Sequence, residues 1–267
     1  MPITIEDRRN LVEGLVPLFL HVAWRLLRQD VPFEEALNIR TDIYRFTSLF
    51  DGKVIPYHAL PDWRDERWEG LLKHLRLIYN RHAADATSEA FERDGYEVFR
   101  PVLETAFERG VAQWPRIEDR PYGFFEYNLA ELTQPSARAI ELHFANPFSP
   151  ASPFADPKER LREFHRLVAN VHSDHPDVTH VATGTWLNSF PPFLAFFPPE
   201  WAASATPSTA VFPGAGLWGQ FYDRRGGFHR KNAEYLRSTG EFRYPPMNCQ
   251  CRIETLQAYL DEAVNTQ

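Results

Sequence analysis

Leu11, Leu15, Leu18, Val22 and Leu26 recur at steps of three and four, which predicts a helix over 5–29 with one buried face. Thr4 followed three residues later by Asp7 has the spacing of a helix start. Pro17 falls inside the run and predicts a kink or a division into two helices. His21 and Trp24 lie near the apolar face and are expected to be core residues. A weaker helical stretch over 33–50 closes at Asp51-Gly52, and 53–62, with Pro56 and Pro61, reads as a loop. A long helix is predicted over 67–93, ended by Asp94-Gly95. Another is predicted over 97–114, with Pro101 in its first turn, where proline is tolerated. Residues 1–115 are thus expected to form a mostly helical domain.

The period changes after Pro115. Residues 122–129 read as a strand, and 137–145 read as a clearer one, with Ile140, Leu142 and Phe144 alternating against Ala139, Glu141 and His143. A proline-rich loop over 146–154 leads to Asp156-Pro157-Lys158-Glu159, the strongest helix start in the chain. Asp can cap, Pro suits the first helical position, and Glu stands where a capping box places it. Leu161, Phe164, Val168 and Val171 line one helical face until His175-Pro176, and 178–187 returns as a strand. Strand, helix and strand in this order predict a βαβ unit. An aromatic helix over 190–201 follows, bounded by Pro191-Pro192 and Pro198-Pro199. Residues 210–223 read as a glycine-bent strand, 227–238 as a helix closed by Thr239-Gly240, 248–253 as a last strand and 254–264 as a final helix. The expected class is α+β or α/β: a helical domain over 1–115, then a domain over 116–267 with a mixed sheet, a βαβ unit and flanking helices.

Composition adds limits. Hydrophobic residues at 43% and charged residues at 24% describe a folded globular chain. Aromatics reach 14%, and 22 prolines outnumber 13 glycines, which suggests a packed, loop-bearing protein with aromatic-walled cavities. The net charge is −7 and neither half is basic, so nucleic-acid binding is not expected. Cys249 and Cys251 are too close in sequence for an ordinary disulfide. With no signal-peptide pattern, they point to the reducing cytoplasm. The apolar run 15–23 is too short to span a bilayer, so no membrane partner is expected.

Familiar motifs are sparse. Gly214-Ala-Gly216-Leu-Trp-Gly219 spells a dinucleotide fingerprint, but Pro213 precedes it and the aromatic run Gln220-Phe221-Tyr222 follows where a helix should begin. We read these glycines as a bend in a strand rather than a nucleotide site. Cys249 and Cys251 have no second pair, and His165, His172, His175 and His180 lack a metal-binding pattern, so no metal is expected. Neither a GxSxG elbow nor a P-loop is present.

The best constellation comes from strand ends. If the strands of the βαβ unit are parallel neighbours, His143 and Asn146 at one exit meet Asn188 and Ser189 at the other, on the edge where α/β sheets bind ligands. Gln220 and His229 would close this rim. Arg224, Arg225, Arg230, Lys231 and Arg237 form a basic island in an acidic chain, and Gly226-Gly227 at a helix start beside them suits an anion.

One resemblance bears on these residues. The strand ending in Leu142-His143, the helix with Phe164 ending near His175-Pro176, Thr185-Trp186-Leu187, Leu194, Phe197-Pro198-Pro199 and the late Thr255-Leu256-Gln257 with Leu260 follow one another in a telling order. That order is similar to the GNAT-like C-terminal domain of certain bacterial acyltransferase-like proteins, in which a mostly helical domain comes first. It spans roughly 137–260. The resemblance implies acyl transfer from coenzyme A or a related thioester to a small-molecule acceptor, with acyl-CoA as co-substrate and no further cofactor. Under it His143 would be the base, a polar backbone rim at Asn188, beside Ser189, would hold the oxyanion, and the Arg224–Lys231 island, with Asn146, Gln220 and His229 nearby, would be the binding surface. The competing classes are a small-molecule enzyme of another reaction type and a non-catalytic binding or scaffold protein.

Overall fold

The computed structural model describes residues 3–50, 65–131, 138–208 and 215–266. The described chain begins with α1 (Ile5–Leu27), α2 (Phe33–Asn38), α3 (Ile43–Phe46), α4 (Glu66–His82), α5 (Glu89–Glu104) and α6 (Phe107–Ala112). It continues with β1 (Phe125–Glu131), β2 (Arg138–Phe144), α7 (Pro157–Asp174), β3 (Val178–Thr185), α8 (Pro191–Leu194) and α9 (Pro199–Ala203). It ends with β4 (Thr206–Pro207), α10 (Ala215–Trp218), α11 (Arg230–Thr239), β5 (Met247–Arg252) and α12 (Ile253–Asn265). The class is α+β, with helices first and a mixed five-stranded sheet after them. The chain divides into two compact units: Ile3–Gln113 with Val211–Phe242, and Trp114–Ala210 with Arg243–Gln267. The sequence pattern groups 211–242 with the sheet. Its described part instead puts Trp218, Phe221, Ala233 and Leu236 into the core of the helical unit. The expected loop over 53–62 and Gly214 of the glycine motif lie outside the described residues.

In the α/β unit the strand order is β1-β2-β3-β5-β4. β2 and β3 are parallel, with Ile140 opposite Val181, while β1–β2 and β3–β5 are antiparallel. The helix between the parallel strands starts as its sequence predicts: the Asp156 carboxylate accepts from the Glu159 N–H at 3.1 Å, and Pro157 opens the first turn. Leu161, Phe164, Leu167, Val168 and Val171 of α7 and Leu256 and Leu260 of α12 are buried in this unit's core. The aromatic stretch 190–201 is two short helices rather than one, because each proline pair restarts the chain at a helical first turn. Phe193, Phe196, Phe197 and Trp201 are core side chains, with Phe197 stacked on Trp201 at 4.1 Å between ring centroids.

In the helical unit α1 runs unbroken through Pro17. A mid-helix proline costs about 3 kcal/mol. Leu15, Val16, Leu18 and Phe19 around it are all fully buried, at roughly 1.5–3 kcal/mol each, and that outweighs the break. By length and composition α1 could cross a membrane, so the apolar segment is longer than the run 15–23 suggests. Here, though, its apolar face is the core of the unit. The single helix expected over 67–93 is two: α4 ends at His82, whose ring nitrogens each lie 2.9 Å from a carboxylate, Asp85 in the connection and Asp94 on α5. Gly95 therefore sits inside α5 instead of ending a helix. A Cβ there would stand 2.9 Å from Leu75 Cδ1 and 3.1 Å from Leu20 Cδ1, so glycine sets how closely α5 approaches its neighbours. Gly95→Val should lower stability by about 1–3 kcal/mol through overpacking. A urea midpoint equal to that of the parent protein would show that the contact does not limit packing.

Candidate functional site

Side chains alternate across a strand, so the register assigns each sheet residue to one of two faces. Ile140, Leu142, Val181, Thr183, Cys249 and Cys251 share the buried face. The opposite face is polar. On it Glu126 pairs with His143 and Asn128 with Glu141, while Glu141 pairs with Ala182, Ala182 with Gln250, and Gly184 with Asn248. Carrying the β2–β3 register two residues further sets Gly184 beside His143. Two rows result: Glu126, His143, Gly184 and Asn248, then Asn128, Glu141, Ala182 and Gln250. All are exposed except His143 and Ala182, which are half-buried. The small residues of β3 form the floor of a shallow trough, with Glu141 and His143 on one side and Asn248 and Gln250 on the other. A Cβ on Gly184 would come within 2.7 Å of Asn248 Oδ1, so glycine makes room for the Asn248 side chain that lies over it.

His143 Nε2 lies 3.0 Å from Asn128 Nδ2. With this amide donating, Nε2 carries the lone pair and Nδ1 the proton. The basic atom is thus held by a neutral, exposed donor that a substrate N–H or O–H can replace. Glu126, across the strand pair, is ion-paired with Arg120 at 2.8 Å. Asn128, Asn248 and Gln250 were not singled out from the sequence. The signal was available in alternation: once 248–253 and 122–129 are strands, every second residue shares the face of His143.

The other expected rim residues do different work. β2 and β3 are parallel neighbours, so His143 lies near the outgoing end of β2, while Asn146 follows β2 and Asn188 and Ser189 follow β3. Asn146 folds its own loop, accepting from Phe148 N–H at 3.1 Å and donating to Ala151 O at 3.1 Å. Asn188 is buried: its amide donates to Thr183 O at 3.1 Å and Met247 O at 2.8 Å and accepts from Trp201 Nε1 at 3.0 Å. Both N–H donors of that side chain are thus taken within the fold. Ser189 Oγ donates to Pro245 O at 2.6 Å and clasps the chain.

Gln220, Arg224, Arg225, His229 and Arg230 belong to the helical unit. Gln220 sits in a 3-10 turn over Gly219–Phe221, not on a bent strand, and donates to Leu217 O at 3.1 Å. The turn forms because Phe221 and Trp218 are buried in the core of the helical unit, a demand that outranks the strand-like pattern. His229 caps α11 through Nδ1, which accepts from Asn232 N–H at 3.3 Å. The loop before α11 already holds an anion of its own: Asp223 Oδ1 accepts from Arg225 N–H at 2.8 Å and Gly227 N–H at 2.9 Å. The cradle expected for a phosphate is therefore filled by a side chain, and Arg224, Arg225 and Arg230 are exposed around it. The start of α7 is unsuited to an anion as well, since Asp156 and Glu159 are acidic and Pro157 lacks an N–H.

Burial pushes the thiols of Cys249 and Cys251 up to about 11 and about 12, which leaves both as protonated core residues. Among the described residues no group of three or more His, Cys, Asp and Glu is placed to hold a metal. Arg160 and Glu163 form a buried ion pair at 2.7 Å on α7, with the Arg160 guanidinium 3.7 Å from the centre of the Phe148 ring. Glu163 also accepts from Phe124 N–H at 3.3 Å, and burial pushes its carboxyl above the usual range. This pair ties loop 145–156 and the start of β1 to α7. Asn188→Ala should leave Trp201 Nε1 and two carbonyls without partners, lowering stability by about 2–4 kcal/mol. A denaturation midpoint unchanged by this substitution, together with loss of a measured activity, would restore a chemical role to Asn188.

No family model matches the chain, and no curated protein matches it. Two solved structures superpose loosely. One is an acyltransferase mutant in complex with octanoyl-CoA, 14% identical, covering 85% of this chain and 86% of that one with a TM-score of 0.33. The other is an acyltransferase in complex with decanoyl-CoA and teicoplanin, 14% identical, covering 86% of each chain with a TM-score of 0.31. Superpositions this loose decide neither the fold nor the chemistry of this chain.

Proposed function

We propose that the polar sheet face transfers an acyl group from a thioester of the coenzyme A type to an amine or hydroxyl of a small-molecule acceptor. One observation carries the reading: the accessible imidazole of His143, held at Nε2 by a neutral amide, beside a trough floored by Ala182 and Gly184. The donor class rests on the order of elements over 137–260, which resembles GNAT-like domains.

The acceptor N–H or O–H replaces the Asn128 N–H at Nε2. Nε2, which carries the ring's lone pair, takes that proton as the acceptor lone pair forms the new C–N or C–O bond at the thioester carbonyl. The C–S bond then breaks, the electron pair leaves with the thiolate, and the imidazolium returns its proton to the sulfur. Asn248 and Gln250, across the trough, are the side-chain donors available to the oxyanion.

The test is release of free thiol from acyl-CoA in the presence of amine and alcohol acceptors. The buried cysteines keep the background low. His143→Ala should cut turnover by about 10²–10⁴ while the protein stays folded. Full turnover in that variant would remove His143 from the chemistry. Absence of thiol release from the parent protein, with no thermal stabilisation by any acyl-CoA, would leave the face without a donor.

A further inference from the structure

The two edges of the sheet are built differently. β4, at one edge, is two residues long and contains Pro207, which has no N–H to offer a further strand. β1, at the other edge, runs for seven residues, FEYNLAE, without proline, lysine or a bulge. The β1–β2 ladder fixes which of its backbone groups point outward. Ala145 N–H donates to Phe124 O at 3.3 Å, and Phe125 stands opposite Phe144. Even-numbered residues of β1 therefore exchange their bonds with β2, and odd-numbered residues face away from it. Phe125 N–H turns back to Tyr122 O at 3.0 Å. The N–H and C=O groups of Tyr127 and Leu129 have no partner among the described residues.

The side chains of this edge suit a copy of itself. On the α7 side Phe125 is buried, Tyr127 is half-buried beside Tyr122 and His175, and Leu129 is 51% exposed. Place a second β1 antiparallel to the first, with a two-fold axis at Asn128. Tyr127 then stands opposite Leu129 of the second copy, and Leu129 opposite its Tyr127. The outward N–H and C=O groups of these residues satisfy one another, and the exposed Leu129 gains an aromatic cross-strand neighbour. On the polar face Glu126 falls opposite Ala130 and Asn128 opposite Asn128, so no like charges meet. The Glu126 carboxylate is in any case paired with Arg120. An axis at Glu126 would instead confront two carboxylates.

We propose that β1 is a dimerisation edge: a second copy of this chain pairs with it antiparallel about an axis at Asn128 and joins two five-stranded sheets into one. Such an interface is isologous, since the same strand serves both copies and the symmetry closes. A two-fold perpendicular to the sheet keeps the two polar faces on one side, so the His143 rows of the two copies flank the axis. The pairing is carried by backbone groups and by Leu129, and it does not depend on the acyl-transfer reading.

Sedimentation equilibrium of the full chain over a range of concentrations tests this. The average mass should rise with concentration toward that of two chains. Leu129→Pro removes an outward N–H that the β1–β2 ladder does not use, so the variant should keep its fold and the mass of one chain. Leu129→Lys, which asks nothing of the backbone, should weaken association about tenfold even if the proline variant misfolds. Asn128→Cys puts two thiols on the axis, where opposed Cα atoms of a non-bonded antiparallel pair stand about 4.5 Å apart, within disulfide range. Mild oxidation should therefore link two chains through Asn128→Cys and not through Glu126→Cys, and the native cysteines are buried. The mass of one chain at every concentration would overturn the proposal and leave the edge to a strand of another protein. A two-chain mass that neither Leu129 variant lowers would overturn it too. A dimer that fails to cross-link at Asn128, or links equally at Glu126, would overturn the register.

Discussion

The parallel pairing of β2 and β3 across α7 decides most of what the α/β unit can do. A parallel pair needs a crossover, and α7 supplies it with an apolar stripe that must be buried against one face of the sheet. Strand alternation then leaves the other face free of packing demands. His143, Glu141, Gln250 and Asn248 are exposed or half-exposed there because Leu142, Ile140, Cys251 and Cys249, one residue away, are not. Shifting either strand by one residue would exchange the two sets and destroy core and site together.

Hydrogen-bond saturation separates structural polar residues from available ones. Asn188 has the chemistry of an oxyanion donor and the burial of a site residue, yet three internal partners use its amide completely. Asp223 does the same for the loop before α11, where it stands in for the anion that the glycines and arginines suggest. His143 differs: its partner is a single exposed amide that solvent or substrate can replace. Arg8 is the opposite case, a half-buried guanidinium whose Nε has no partner among the described residues.

Local chemistry was legible in the sequence wherever a short signal agreed with the packing. The Asp156-Pro157 start of α7, the alternation of β2 and the βαβ order are all present as read, and His143 stands on the accessible face that its strand position implies. The misread segments share a physical cause, which is distant packing outranking local pattern. Pro17 does not break α1 because the surrounding side chains are buried. Gly95 does not end a helix because α5 needs a close approach at that position. Gln220-Phe221-Tyr222 looks like a strand, but its aromatic residues serve the core of the helical unit. The partners of His143 on β1 and β5 depend on register, and register between distant strands cannot be read from either strand alone.

The most direct measurement is photo-crosslinking with an acyl-CoA that carries a photoreactive group in its acyl chain, followed by peptide mapping. The account predicts covalent label on peptides from β1, β2 or β5, competed by unmodified acyl-CoA and reduced when Gly184 is replaced by Val to fill the trough. Label confined to the helical unit, or competed label unaffected by Gly184→Val, would contradict the assignment of the polar sheet face as the place where the thioester binds.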